Sequence, residues 1–188
     1  MTTGTKSLLF GVHQFIWHPI TVWMAWIWLF RKPPTFRETV CIIVHDWGYL
    51  GKAQMDDEKG IQHPEVGAAI AGKLFGFEYY DLCLLHSRHY AYRVGREPSP
   101  LCWADKLSII FEPWWLYLPR AWASGELTEY RKNCDRTGDI PIFLSHRDWY
   151  RRSQAQLRNI GMKKLSVVTA GRIASLLKQV GLSRKLRS

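Results

Sequence analysis

Several things are scarce in this chain, and each scarcity excludes something. The four cysteines, Cys41, Cys83, Cys102 and Cys134, form no C-x-x-C pair, and no signal peptide with a cleavage site is recognisable. A reduced, cytoplasmic setting is therefore expected. No hydrophobic run is long: Pro19 to Phe30 (PITVWMAWIWLF) covers 12 residues, against roughly 20 needed to span a bilayer. His13, Gln14 and His18 stand just upstream, where lipid would make them costly, so the run reads as a buried helix and not as a transmembrane span. Strand-like alternation, internal repeats and low-complexity tracts are absent. Acidic residues are nearly missing from the C-terminal part, where Arg147 to Ser188 holds 11 Lys/Arg against Asp148 alone. The net charge of +10 belongs to that tail, and the residues before it are balanced.

What is present suits a single core. A chain of 188 residues with 47% hydrophobic content favours one domain over two. The aromatic share of 14% is high enough that some rings are expected to line a pocket or surface as well as the core.

Nearly every periodic stretch reads as helix. Pro33-Pro34 ends the first apolar helix, and Thr35 is placed to cap the next, which closes near His45-Asp46. Pro64 to Phe75 spaces Val66, Ala69, Ile70 and Leu74 helically, with Pro64 in the first turn and His63 at the entrance. Glu78 to Arg93 carries Leu82, Leu85 and the His86-Ser87-Arg88-His89 cluster. Leu101 to Phe111 resumes a helical pattern after Pro98 and Pro100. Pro113 and Pro119 bracket the WWLYL run, Gly138 to Pro141 reads as a turn, and a basic helix is expected from His146 to about Asn159. The expected architecture is all-α: one compact helical bundle over residues 1–146 and a basic helical extension over 147–188.

Within that frame His18, His45, Asp46, His63, His86 and Asp105 recur at intervals of about one helix plus a loop, so successive helices can each offer a ligand to one interior point. Imidazole with carboxylate suits Mn, Fe, Co, Ni or Zn better than calcium. Asp46, beside one ligand histidine and possessing two oxygens, is the natural bridge between two ions. Taken singly, each of these histidines is more often a hydrogen-bonded core or surface residue than a ligand.

The segments IIVHDWGYLGK, HPEVGAAI, LLHSRHY and PLCWADKLS, in that order, resemble the HD-domain superfamily of metal-dependent phosphohydrolases, over roughly Gly11 to Glu129. The resemblance implies an HD-type helical bundle in which His18, His45, Asp46 and Asp105 bind one divalent metal ion and His63 and His86 add a second, with Mn, Fe, Co, Ni, Mg or Zn as candidates. His13 and His18 compete for the first position, and the HPITVWMAW context favours His18. The chemistry implied is hydrolysis of a phosphoester or phosphoanhydride by metal-activated water. Asp46, Lys52 and Arg88 are the expected catalytic residues. Lys52, Arg88, His89 and Lys106 are expected to bind substrate, with Arg93 a further candidate beside them. His89, three residues after His86, is expected to share its helix face.

The Gly-Tyr-Pro element of the cyclic-di-GMP branch and an alarmone-hydrolase signature are both lacking, which lowers those subclasses. Trp47, Tyr49, Tyr90, Tyr92 and Trp103 flank the ligand positions, where they either stack on a nucleobase or pack in the core. A small-molecule nucleotide is the leading substrate expectation. The tail, with Leu165, Val168, Ile173, Leu176 and Leu177 on one side, fits nucleic acid or an acidic membrane surface. A metal-binding HD scaffold without turnover is the third reading.

Overall fold

The computed structural model describes residues 1–55, 58–136 and 138–185, with backbone alone beyond 168. Among these residues every regular element is helical and there is no strand, as the sequence patterns imply. The order is α1 (Thr3–Phe10), α2 (Trp17–Phe30), α3 (Phe36–Val44), α4 (Pro64–Phe75), α5 (Phe77–Leu84), α6 (Arg88–Arg93), α7 (Pro100–Leu107), α8 (Trp114–Ser124), α9 (Glu126–Arg136) and α10 (His146–Lys185). Single 3-10 turns cover Trp47–Tyr49, Gly60–Gln62 and Ser108–Phe111.

Local chemistry sets the helix ends that matter for the site. Thr35 and Glu38 form a capping box that starts α3, each side chain serving the other residue's backbone N–H. The α3 helix then stops at Val44, which leaves His45 and Asp46 in the turn beyond it. Pro64 opens α4, where its missing N–H costs nothing. Gly67 brings α4 close to the end of α3: a Cβ there would sit 2.6 Å from the Val44 carbonyl oxygen and 2.8 Å from the His45 Cα.

The principal core is formed where α2, α3, α4, α5 and α7 meet, through Val22, Trp26, Leu29, Ile42, Leu101 and Leu107 among others. The α2 helix buries His18, Val22, Ala25, Trp26 and Leu29 at helical spacing and leaves Ile20, Trp23 and Met24 exposed, so it is a one-sided helix and not a fully buried one. Among the described residues no helix is long and apolar enough to cross a membrane.

The Thr3–Phe10 helix adds to the expected elements; Thr2 caps it, and Gly4 N–H donates to the Lys52 carbonyl. Three local expectations are corrected. The Glu78 to Arg93 stretch is two helices, because the turn Leu85–Ser87 separates α5 from α6. Pro119 lies inside α8, which runs through it at the loss of one backbone hydrogen bond, and Trp114 and Trp115 are exposed. The helix expected to end near Asn159 continues to Lys185.

The basic segment begins within the fold. Tyr150 is fully buried and its hydroxyl donates to the Glu112 carbonyl at 2.7 Å. Further along α10, Gly161 admits the Trp28 ring, Lys164 lies 4.0 Å above the Trp103 ring and Leu165 is buried. Val168 is half-buried, while the side chains of Ile173, Leu176 and Leu177 lie outside the described residues.

Candidate metal centre

Five elements deliver six side chains to one point. His18 comes from the first turn of α2, His45 and Asp46 from the turn after α3, and His63 from the residue preceding α4. His86 lies in the turn after α5 and Asp105 near the end of α7. Their donor atoms fall into two groups: His18, His45, Asp46 and Asp105 in one, and Asp46, His63 and His86 in the other.

The Oδ2 oxygen of Asp46 lies 3.2 Å from His18 Nε2 and 3.1 Å from His45 Nε2. Asp105 Oδ1 joins them, 3.1 Å from His18 Nε2 and 3.8 Å from His45 Nε2. The other oxygen of Asp46, Oδ1, lies 3.6 Å from His63 Nε2 and 3.5 Å from His86 Nε2, and these two nitrogens are 3.1 Å apart. Donors bound to one ion at about 2.0–2.2 Å must lie roughly 3 to 3.6 Å from one another, so most of the observed spacings suit a shared ion. His18 Nε2, His45 Nε2 and Asp46 Oδ2 are buried without a hydrogen-bond partner. Buried polar atoms are ordinarily satisfied; a cation at their common centre would satisfy all three.

The histidine rings are already oriented for this. His45 Nδ1 donates to the Ile42 carbonyl at 2.7 Å, His63 Nδ1 to the Gly60 carbonyl at 2.8 Å and His86 Nδ1 to the Cys83 carbonyl at 2.5 Å. A proton on Nδ1 leaves the Nε2 lone pair as the ligand, the arrangement common to metal-binding histidines. The aromatic face of Tyr49 stacks on His63, with centroids 3.9 Å apart, and holds its plane.

Charge is concentrated accordingly. Burial disfavours the charged forms of Asp46 and Asp105, but the neighbouring histidines outweigh it, His45 foremost for Asp46 and His18 for Asp105, and hold both carboxyls well below their usual range. Burial also disfavours charge on His45, yet Asp46 and Asp105 raise its pKa to about 10 in the metal-free protein. Burial and then His86 push His63 down to about 3, so His63 is neutral and ready to ligate.

A cavity of about 350 Å³ opens over this cluster. Arg88, His89 and Lys106 line it, as do Tyr49, Met55, Ile61, Ser87 and Tyr130. Lys52 is not among the lining residues: its carbonyl pairs with Gly4 in α1 and its side chain is only half-buried there. Arg93 is exposed at the end of α6 and also lies outside the lining. His89 does not share a helix face with His86, since α6 begins only at Arg88, but it reaches the cavity mouth from the new helix. Of the flanking aromatics only Tyr49 lines the cavity. Trp47 and Tyr92 are exposed, Tyr90 is tied to Glu65, and Trp103 is half-buried beneath Lys164.

The first two histidines point to different partners. His18 meets Asp46 and Asp105, whereas His13 Nδ1 turns to Glu126 Oε1 at 3.0 Å and Ser7 Oγ at 2.9 Å while its ring lines the cavity. Burial opposes charge on His13, but Asp46 and then Glu126 raise its pKa to about 9. Glu126, fully buried at the start of α9, was not singled out in the sequence; 113 residues separate it from His13 and no local pattern marks it. Comparison of the chain with protein-family models, with curated proteins and with solved structures finds no match.

Proposed function

We propose that the protein is a metal-dependent phosphohydrolase of the HD type that cleaves a phosphoester or phosphoanhydride bond of a small nucleotide. The observation that supports this most is the division of Asp46, whose Oδ2 faces His18 and His45 while Oδ1 faces His63 and His86. One carboxylate between two ligand sets is suited to hold two divalent ions side by side, an arrangement used for displacement at phosphorus. His18, His45, Asp46 and Asp105 would hold one ion, and Asp46, His63 and His86 the other. Imidazole-rich sets favour Mn, Fe, Co, Ni or Zn over Mg. When bound, such ions polarise phosphoryl oxygens and make water acidic enough to attack at neutral pH.

The chain's own residues supply the remainder. Arg88 and Lys106, with His89 beside them, present cationic donors on one side of the cavity, where they can bind phosphoryl oxygens and offset charge that grows during bond cleavage. Met55, Ile61, Tyr49 and Tyr130 form apolar and aromatic wall that limits water. A volume of about 350 Å³ accommodates a mononucleotide more readily than a nucleic-acid duplex.

The test is phosphate release from dNTPs, NTPs, monophosphates, cyclic dinucleotides and short oligonucleotides with Mn, Co, Ni, Mg and Zn, beside Asp46→Ala. Turnover abolished by that substitution supports the reading. Silence across the panel from protein that carries metal would sink it in favour of a metal-binding scaffold.

A second reading, a nucleic-acid-directed phosphodiesterase, is favoured by the exposed Arg147, Arg151, Arg152, Arg158 and Lys163 of α10. Its signature is an affinity for single-stranded oligonucleotide that falls linearly with salt on logarithmic axes. Preference for anionic vesicles over oligonucleotide would instead assign the helix to an acidic membrane surface.

A further inference from the structure

The loop that carries His13 is held far more firmly than a connection between two helices requires. Arg120 donates to the Gly11 carbonyl at 2.6 Å from Nη2 and 3.1 Å from Nε, and reaches the Val12 carbonyl at 3.2 Å. Arg120 is itself fixed by Glu112, 2.5 Å away. From the opposite side Glu126 accepts the Val12 N–H at 2.9 Å and His13 Nδ1 at 3.0 Å. Ser7 and Ser124 donate to the same carboxylate at 2.7 and 2.5 Å, and Tyr130 at 3.0 Å. Gly11 is required for this approach, because a Cβ there would overlap Glu126 Oε2. Burying a carboxylate is costly unless it is paired, and here the whole arrangement converges on one imidazole that lies outside both candidate ligand groups.

That imidazole faces the metal cluster. His13 lines the cavity, its ring 5.2 Å from the His18 ring and 5.0 Å from the Tyr49 ring by centroids. With Nδ1 committed to Glu126 and Ser7, the remaining polar atom available to the cavity is Nε2.

We propose that His13 is a substrate-contacting residue whose Nε2 hydrogen-bonds with the phosphate held in the cavity, and that Glu126 is the positioning residue that fixes it. The assignment rests on the phosphohydrolase reading and adds to it a contact outside the ligand set. It also accounts for the presence of two histidines so close in sequence: one belongs to the ions and the other to the phosphate.

The test uses the full-length protein loaded with Zn²⁺ and inorganic phosphate as the probe, with metal content and phosphate affinity measured for His13→Asn, Glu126→Gln and the double variant. Asparagine retains a donor near the Nδ1 position for Glu126 and removes Nε2. His13→Asn should keep its metal and lose about tenfold or more in phosphate affinity, the scale of a hydrogen bond to a charged group. His13→Gln, which returns a hydrogen-bonding amide near Nε2, should recover part of that loss. Glu126→Gln should weaken phosphate binding in the wild-type background and not further in the His13→Asn background, a non-additivity that a purely structural role would not produce. Phosphate affinity within twofold of wild type in His13→Asn would overturn the assignment of His13, and additive losses would overturn that of Glu126. The ring ¹⁵N resonances of His13 provide a measurement without any variant: they should shift when phosphate is added, and unmoved resonances during saturable binding would overturn the contact. Metal-loaded wild type that neither binds nor releases phosphate would instead sink the phosphohydrolase reading, and this assignment with it.

Discussion

Asp46 presents its two oxygens to different histidines, with Oδ2 3.1 Å from His45 Nε2 and Oδ1 3.5 Å from His86 Nε2. A residue shared in this way should be indispensable to both ligand sets, whereas the others each serve one. Asp46→Ala is expected to release both ions, and His86→Ala only the one it shares with His63. Metal counted by plasma emission on folded protein checks this; equal loss in the two variants would contradict the shared role. Turnover should fall about 10³-fold or more in Asp46→Ala, matching the several kcal/mol that metal ions contribute to charge stabilisation.

Protons and metal compete for the same atoms. A histidine whose pKa is raised in the folded state contributes stability that is complete below its unfolded value near 6.5 and is lost as pH rises through about 10, as for His45. The metal-free protein should therefore lose stability on the alkaline side, while metal affinity should increase with pH as that proton is displaced more easily. Denaturant melts with and without Zn²⁺ at about pH 6 and about pH 9 measure both trends. A metal affinity that does not change between them would be inconsistent with the protonated His45.

Backbone proximity also protects the second ligand set. A Cβ on Gly48 would overlap the carbonyl of His63 and come within 2.8 Å of its carbonyl carbon. Gly48→Ala can only be accommodated by displacing His63, so a destabilisation of about 1–3 kcal/mol is expected, accompanied by loss of the ion held with His86. Chemical denaturation and metal counting on one preparation would show whether the two losses occur together.

Lining the cavity separates the basic residues that adjoin the ligand motifs. Arg88→Ala and Lys106→Ala should each lower kcat/KM about tenfold or more with metal content intact, the worth of a hydrogen bond to a charged group. Lys52→Ala, outside the cavity wall, should leave it within about twofold. An equal effect of all three would favour a diffuse electrostatic contribution over specific contacts.

The cluster was legible in sequence because its members recur about one helix plus a loop apart and lie near helix ends, and Pro64 marks one of those boundaries, directly after His63, by local chemistry. His89 was misplaced because a three-residue turn after Leu84 interrupts what reads as one helical pattern; no glycine or proline announces it. Lys52 was associated with the site by sequence proximity to His45-Asp46, but the chain turns toward α1 at that point and carries it away. Glu126 was invisible for a different reason: its importance comes from burial against Ser7, Val12 and His13, and burial of a single carboxylate leaves no trace in periodicity. The same applies to Pro119, where the packing of Tyr117 and Ala121 on either side sustains a helix that the residue's own preference opposes.

His45, His63 and His86 each donate Nδ1–H to the carbonyl three residues earlier, those of Ile42, Gly60 and Cys83. The acceptors are peptide oxygens of α3, the Gly60–Gln62 turn and α5; those of Gly60 and Cys83 also accept the backbone N–H of the same histidine, at 3.0 and 3.3 Å. An outer shell made of main chain cannot be deleted by a side-chain substitution. Exchanging Ile42 or Cys83 for another residue that packs leaves the tautomer of the histidine three residues on unchanged, so sequence drift around these histidines is uncoupled from which nitrogen faces the cluster. Only a change in the peptide itself, such as an amide-to-ester replacement that weakens the carbonyl acceptor, would reach it.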